Sequence, residues 1–266
     1  GVLLGTVVQL AIQLPWLRGK GGRLGFSLAL KNPDVKRVGI LILPVSISLG
    51  LININGVIDV QFASYLGEGG VAAMTYAFRV YQLPEALFAI AVGTVLFPTL
   101  SKLSARGDQD GFRSTLIMGM RAIFFLLIPI TFLFLALSEP IIRLAYEHGR
   151  FLAGDTRVVA STLFFFAFGS AFSGGSALLT RAFFSLRRPW IPTTQAIVNL
   201  GVNALLNWVF VFKFDMGLGG IQLSTSFVSY FTVLVLLTLM LGAVARHDGQ
   251  DIPNGGLTWR APSVIP

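Results

Sequence analysis

The chain has 266 residues, of which 54% are hydrophobic and 12% charged, with a net charge of +8 at neutral pH and no cysteine. A soluble domain carries about 25% charged residues, so this composition reads as a polytopic membrane protein. The lack of cysteine excludes a disulfide framework and a thiolate metal site, and the positive charge comes with no soluble basic face for nucleic acid.

A bilayer core of about 30 Å takes about 20 apolar helical residues. Residues 1–17 are apolar, begin without methionine and read as the truncated end of a helix, so the chain is expected to be an internal piece of a longer protein. A basic stretch follows at 18–37. Six further apolar segments run over 38–66, 71–100, 115–137, 158–182, 191–212 and 218–245. Several exceed the minimum span, which predicts tilt or bending. No alternating pattern marks a barrel, and open strands do not cross lipid, so the segments are predicted helices. Pro84, Pro98 and Pro129 lie within or at the edge of apolar runs and mark bends. The small-residue stretch GSAFSGGSALL at 169–179 predicts close helix packing. The tail RHDGQDIPNGG reads as a polar linker. His148 and His247 stand far apart near predicted loops and lack metal-site spacing.

Cations in the connections orient the bundle. One side collects Arg18, Lys20, Arg23, Lys31, Lys36 and Arg37, then Lys102, Arg106 and Arg113, then Arg181, Arg187 and Arg188, then Arg246 and Arg260. The other side holds only Arg143, Arg150, Arg157 and Lys213. The richer side is cytoplasmic by the positive-inside rule, where it meets anionic membrane lipids.

Several polar residues fall inside the apolar runs. Arg79 lies about 13 Å below the outer end of its helix, too deep for easy snorkelling. Thr75 and Gln82, at i−4 and i+3, share its face. A guanidinium offers a planar fork of donors suited to phosphate, so the stripe points to an anionic, phosphate-bearing substrate in a central cavity. The competing reading is a structural ion pair with Asp59 on the preceding helix, about 10 Å below the same surface, where Asn55 and Ser48 share its face. Gln195, Asn199, Asn203 and Asn207 recur every four residues as one stripe of amides. Amides in lipid commonly join helices. By depth, however, Asp59, Asn207 and Thr225 occupy one layer on three helices, with Asn203 one turn deeper. Their hard oxygen donors suit a small cation such as sodium. Glu85 is a second buried acid, read either as a proton carrier or as a partner for Arg121.

The stretches GVLLGTVVQLAIQLP (1–15), INGVIDVQFASYL (54–66), YAFRVYQLPEALFAIAVGTVLFPTLSKLSARGD (76–108), EPIIRLAYEHGRF (139–151), RAFFSLRRPWIP (181–192) and NALLNWVFVF followed by GLGGIQLSTS resemble the MurJ (MviN) lipid II flippase family of the multidrug/oligosaccharidyl-lipid/polysaccharide exporter superfamily. The resemblance spans nearly the whole chain in family order. It implies an all-α fold, the second six-helix lobe of a two-lobe transporter. Residues 1–17 would end the sixth transmembrane helix, 18–37 form a basic cytoplasmic linker, 38–245 the C-terminal lobe, and 246–266 a polar linker and the start of a further segment. The first, N-terminal lobe of the same chain is absent.

The implied function is the flipping of lipid II, an undecaprenyl-pyrophosphate-linked disaccharide peptide, across the bacterial cytoplasmic membrane by alternating access, for cell wall synthesis. That is a transporter rather than an enzyme, with no cofactor beyond a candidate sodium ion. Arg79 matches the family's cavity arginine, thought to meet the substrate's pyrophosphate. Asp59, Asn203, Asn207 and Thr225 match positions that resemble its sodium site. One departure is Phe78, where the family often has aspartate just before that arginine. The alternative is another exporter of the same superfamily, for a polysaccharide lipid or a drug.

Overall fold

The computed structural model describes residues 5–9, 12, 33–67 and 69–248, all helix apart from short connections. The chain divides into two compact units, Gly1–Ile40 and Leu41–Pro266. In the first, residues 5–9 and 12 are helical, and most of the predicted 1–17 segment and the 18–37 linker lie outside the described residues.

The helical elements are α1 (Pro33–Ser64), of which the part from Leu41 belongs to the second unit, α2 (Gly70–Pro84), a π-helical turn (Glu85–Ile90), α3 (Ala91–Arg106), α4 (Gln109–Tyr146), α5 (Ala153–Ala167), α6 (Ser170–Ser185), α7 (Trp190–Trp208), a second π-helical turn (Val209–Lys213) and α8 (Gly217–Asp248). Among the described residues, four helices are long and apolar enough to span a bilayer: Gly70–Arg106, Gln109–Tyr146, Trp190–Lys213 and Gly217–Gly242. The α5–α6 pair, bent by 49°, makes a fifth. The predicted 38–66 segment is α1, 32 residues long.

Pro84, Pro98 and Pro129 all lie inside helical spans, as predicted, and of the three only Pro84 is directly followed by a break in the regular helix. Pro84 has no amide hydrogen to give its helix, and the chain widens into a π turn immediately after it. Pro140 lies three residues after Leu137, whose backbone leaves the helical region (φ −123°, ψ 23°). The helix nevertheless resumes to Tyr146, well beyond the predicted end at 137. Gly107, with φ 71°, ends α3, and the Asp108 carboxylate accepts the Gly111 amide at 2.8 Å to start α4. At its C-terminal end α8 continues through Arg246 and His247 to Asp248, which corrects the reading of these residues as linker and loop; 249–266 lie outside the described residues.

Three buried clusters hold the lobe among the described residues, the smallest around Ala63, Met74, Val211 and Ile221. Leu100, Phe112, Ile123, Leu127, Leu178, Phe183 and Leu236 join α3, α4, α6 and α8. Tyr81, Phe134, Ile142, Leu163 and Phe166 join α2, α4 and α5. The predicted close packing at 169–179 is real: a Cβ on Gly174 would lie 2.5 Å from Leu127 Cδ1 and 3.1 Å from Ala89 Cβ. The outer surface is apolar, with Phe125 79% and Leu144 88% exposed, as a lipid-facing bundle requires.

Candidate substrate and cation sites

The amide stripe of α7 is a hydrogen-bonded ladder whose rungs reach α8. Gln195 Nε2 donates to Asn199 Oδ1 at 2.9 Å, and Asn199 Nδ2 donates to Thr232 Oγ1 at 2.8 Å. Asn203 Nδ2 donates to Thr225 Oγ1 at 3.4 Å. In its lower part the stripe therefore joins helices. At its outer end it meets a charge: Asn207 Nδ2 donates to Asp59 Oδ1 at 2.7 Å and to Asn203 Oδ1 at 3.0 Å, while Ser224 Oγ donates to Asn207 Oδ1. Asn203 and Asn207 are fully buried. The predicted layer of Asp59, Asn207 and Thr225 thus comes together from α1, α7 and α8.

Sequence reasoning missed Ser224. The stretch Ser224–Thr225–Ser226 places three hydroxyls about 100° apart around one helix. Ser224 bonds Asn207, Thr225 accepts from Asn203, and Ser226 donates to the Phe165 carbonyl of α5 at 3.0 Å. A run of hydroxyls in an apolar helix is the signal, since each must find its own partner.

The donor set fits a small hard cation by chemistry: a carboxylate, two amide oxygens and a hydroxyl. Asn55 Oδ1, one turn before Asp59, is buried and accepts no hydrogen bond among the described residues. Ser48's side chain lies outside the described residues.

Arg79 lies on the exposed face of α2 with Thr75 and Gln82, opposite the buried Ala73, Ala77, Val80 and Tyr81. Among the described residues, ion pairs form only between Arg143 and the carboxylates of Glu139 and Glu147, so the Asp59–Arg79 pair is not made. Asp59 is engaged by Asn207 instead, an uncharged donor that satisfies the carboxylate. Thr75 turns its hydroxyl back to the Val71 carbonyl at 2.8 Å. Phe78 lays its ring near Tyr81 and Phe166, with centroids at 6.2 and 5.8 Å, and so gives Arg79 no counter-charge.

The Glu85–Arg121 pair is not made either. Ser173 Oγ of α6 donates to Glu85 Oε1 at 2.9 Å. A third basic side chain, missed as an intramembrane residue, is Arg181. It lies within α6 rather than in a loop, and its Nη1 donates to the Ile90 carbonyl at 3.1 Å across Gly93. The glycine leaves the space the guanidinium occupies.

Residues 1–253 match the family described as "Lipid II flippase MurJ". A probable lipid II flippase MurJ of Rhizobium meliloti (strain 1021) is 33% identical over 266 residues, all of this chain and 48% of the relative. The lipid II flippase MurJ of Burkholderia cenocepacia is 30% identical over 257 residues, 95% of this chain and 49% of the relative. The chain spans about half the length of the curated relatives it matches. The solved structure "Lipid II flippase MurJ, inward closed conformation" superposes with a TM-score of 0.69 at 29% identity, over 84% of this chain and 46% of that one. An outward-facing multidrug MATE transporter shares the fold at a TM-score of 0.66 and 16% identity, over 75% of this chain and 43% of that one.

Proposed function

The chain belongs to the lipid II flippase MurJ family, a family of multi-pass membrane transporters, and we propose that it is the C-terminal lobe of a lipid II flippase of the bacterial cytoplasmic membrane. The observation that carries this reading is Arg79. It is deep in a span, exposed from its own lobe and without a carboxylate partner among the described residues. An unpaired intramembrane cation is costly unless it faces water or an anion. Arg79, with Thr75 and Gln82 beside it, faces the chamber between this lobe and the N-terminal lobe of the whole protein. There its fork of donors holds the pyrophosphate of lipid II, while the polyprenyl tail stays in lipid. Two lobes rocking about that chamber expose it to one side of the membrane and then to the other. No covalent chemistry is required.

Asp59, Asn203, Asn207 and Thr225 are the candidate cation ligands, sodium being the ion their oxygens suit. A bound cation there neutralises the Asp59 carboxylate. The side chains themselves connect α1 to α7 and α8, so their state biases how α1 sits against the pair.

Arg79→Ala in the full-length protein tests the substrate contact. Complementation of a flippase-depleted bacterial strain should be lost while membrane insertion and abundance stay normal. Growth restored by the alanine variant would refute the contact.

A further inference from the structure

A groove runs along the outside of the lobe between α4 and α8, distinct from both sites above. Two cavities of about 660 and 540 Å³ compose it, and they share Met120, Phe124 and Leu237. The first extends to Phe112 on α4 and Leu241 on α8. The second continues past Phe172 of α6 to Phe227 and Phe231 of α8. From Leu241 to Phe227, α8 rises about 21 Å at 1.5 Å per residue. One leaflet's hydrocarbon is about 15 Å thick, half of a 30 Å core, so the groove is long enough for acyl chains from headgroup to tail.

The walls of the second cavity are apolar, and two arginines line the first: Arg113 at its outer end and Arg121 beside Met120 where the cavities join, both exposed and both on α4. Neither has a carboxylate within ion-pair distance among the described residues, although Asp110 stands one turn before Arg113. The two arginines are about 12 Å apart along the helix. Helical side chains lean toward the N-terminus, which brings the Arg121 guanidinium back toward Arg113. The loop charges place this end of α4 at the cytoplasmic face, where anionic lipid is concentrated. An apolar helix would not need two cations at the mouth, and a soluble partner would not fill a hydrocarbon slot. Two guanidiniums along the first cavity, with an apolar second cavity continuing beyond them, match an anionic head on two acyl chains.

We propose that the α4–α8 groove binds an anionic diacyl phospholipid of the inner leaflet, with its phosphate between Arg113 and Arg121 and its chains along Met120, Phe124 and Leu237.

Native mass spectrometry of the full-length protein tests it, with phosphatidylglycerol and phosphatidylcholine of matched chains as probes. Wild type should retain phosphatidylglycerol about thirty-fold more strongly, because both arginines attract its net negative head whereas choline's own cation offsets the phosphate of phosphatidylcholine. R113Q/R121Q should lose that preference and R113K/R121K should keep most of it. Equal unfolding midpoints in lipid-free detergent separate loss of binding from loss of fold. Leu237→Trp, which fills the groove, should weaken both lipids. Equal retention of the two lipids by wild type, or an unchanged preference in R113Q/R121Q, would overturn the proposal. Displacement of phosphatidylglycerol by equimolar undecaprenyl phosphate would also overturn it and assign the groove to a polyprenyl chain.

Discussion

Asn207 shows how a carboxylate among apolar helices is met by hydrogen bonds. Its amide donates two hydrogen bonds, to Asp59 and Asn203, and its oxygen accepts one from Ser224. A carboxylate left bare in lipid is strongly disfavoured, so removing either member of this set leaves a buried polar group unmatched. The same oxygens are the candidate cation ligands, and occupation by an ion requires the Asn207 amide to present its oxygen in place of its amino group. If sodium binds as proposed, it competes with the internal hydrogen bonds for one carboxylate. Wild-type full-length protein should unfold at a higher temperature in sodium chloride than in choline chloride. Asp59→Asn should remove that difference, because the carboxylate is the one formal charge in the donor set. A sodium response that survives the substitution would remove Asp59 from the site.

At the scale of elements, the α5–α6 bend depends on a close approach that only glycine allows. A Cβ on Gly169 would lie 2.9 Å from Ser226 Cα, a backbone atom of α8 that no rotamer change can move aside. Gly169→Ala should therefore lower stability by about 1–3 kcal/mol, the usual cost of overpacking, read as a lower unfolding midpoint. Gly154→Ala, near the start of α5, is the control. A Cβ there meets nothing within 4 Å, and exchanging glycine for alanine in a helix should raise stability by about 0.5–1 kcal/mol. An unchanged midpoint for Gly169→Ala would mean that α8 shifts freely against the bend. The π turn after Pro84 is the other element-level device, because it carries Glu85 to Ser173 and ends at the Ile90 carbonyl that Arg181 holds.

For the molecule as a whole, polar bonds outside the bilayer set how stability responds to acid. Glu147, just past the end of α4, accepts the Thr156 hydroxyl at 2.7 Å and an Arg143 N–H at 3.3 Å. These contacts, the Thr156 bond first, hold its carboxyl below the ordinary 4.5 against the opposing effect of desolvation. A folded-state pKa below the unfolded one means that the stabilisation is fully present above pH 4.5 and is lost as pH falls through the folded value. Glu147→Gln should thus flatten the acid limb of an unfolding-midpoint curve recorded from about pH 6 to about pH 3. A variant with the same acid limb as wild type would show that the α4–α5 connection adds nothing there.

The helical segments and the polar residues inside them were legible in the sequence, because lipid forces backbone groups to pair within each segment and makes every internal polar side chain conspicuous. The amide stripe and the Asp59–Asn207–Thr225 layer followed from helical spacing and depth alone. Choice of partner did not follow. Asp59 had two candidates, Arg79 and Asn207, at similar depth, and Glu85 had Arg121 as a candidate where the fold supplies Ser173. Depth is a one-dimensional coordinate, whereas a hydrogen bond also needs the right azimuth around each helix. That azimuth is set by how α1, α2, α7 and α8 rotate against their neighbours. Ser224 and Arg181 escaped notice for the same reason: only packing decides which of three adjacent hydroxyls meets an amide, and which arginine crosses a glycine to reach a carbonyl.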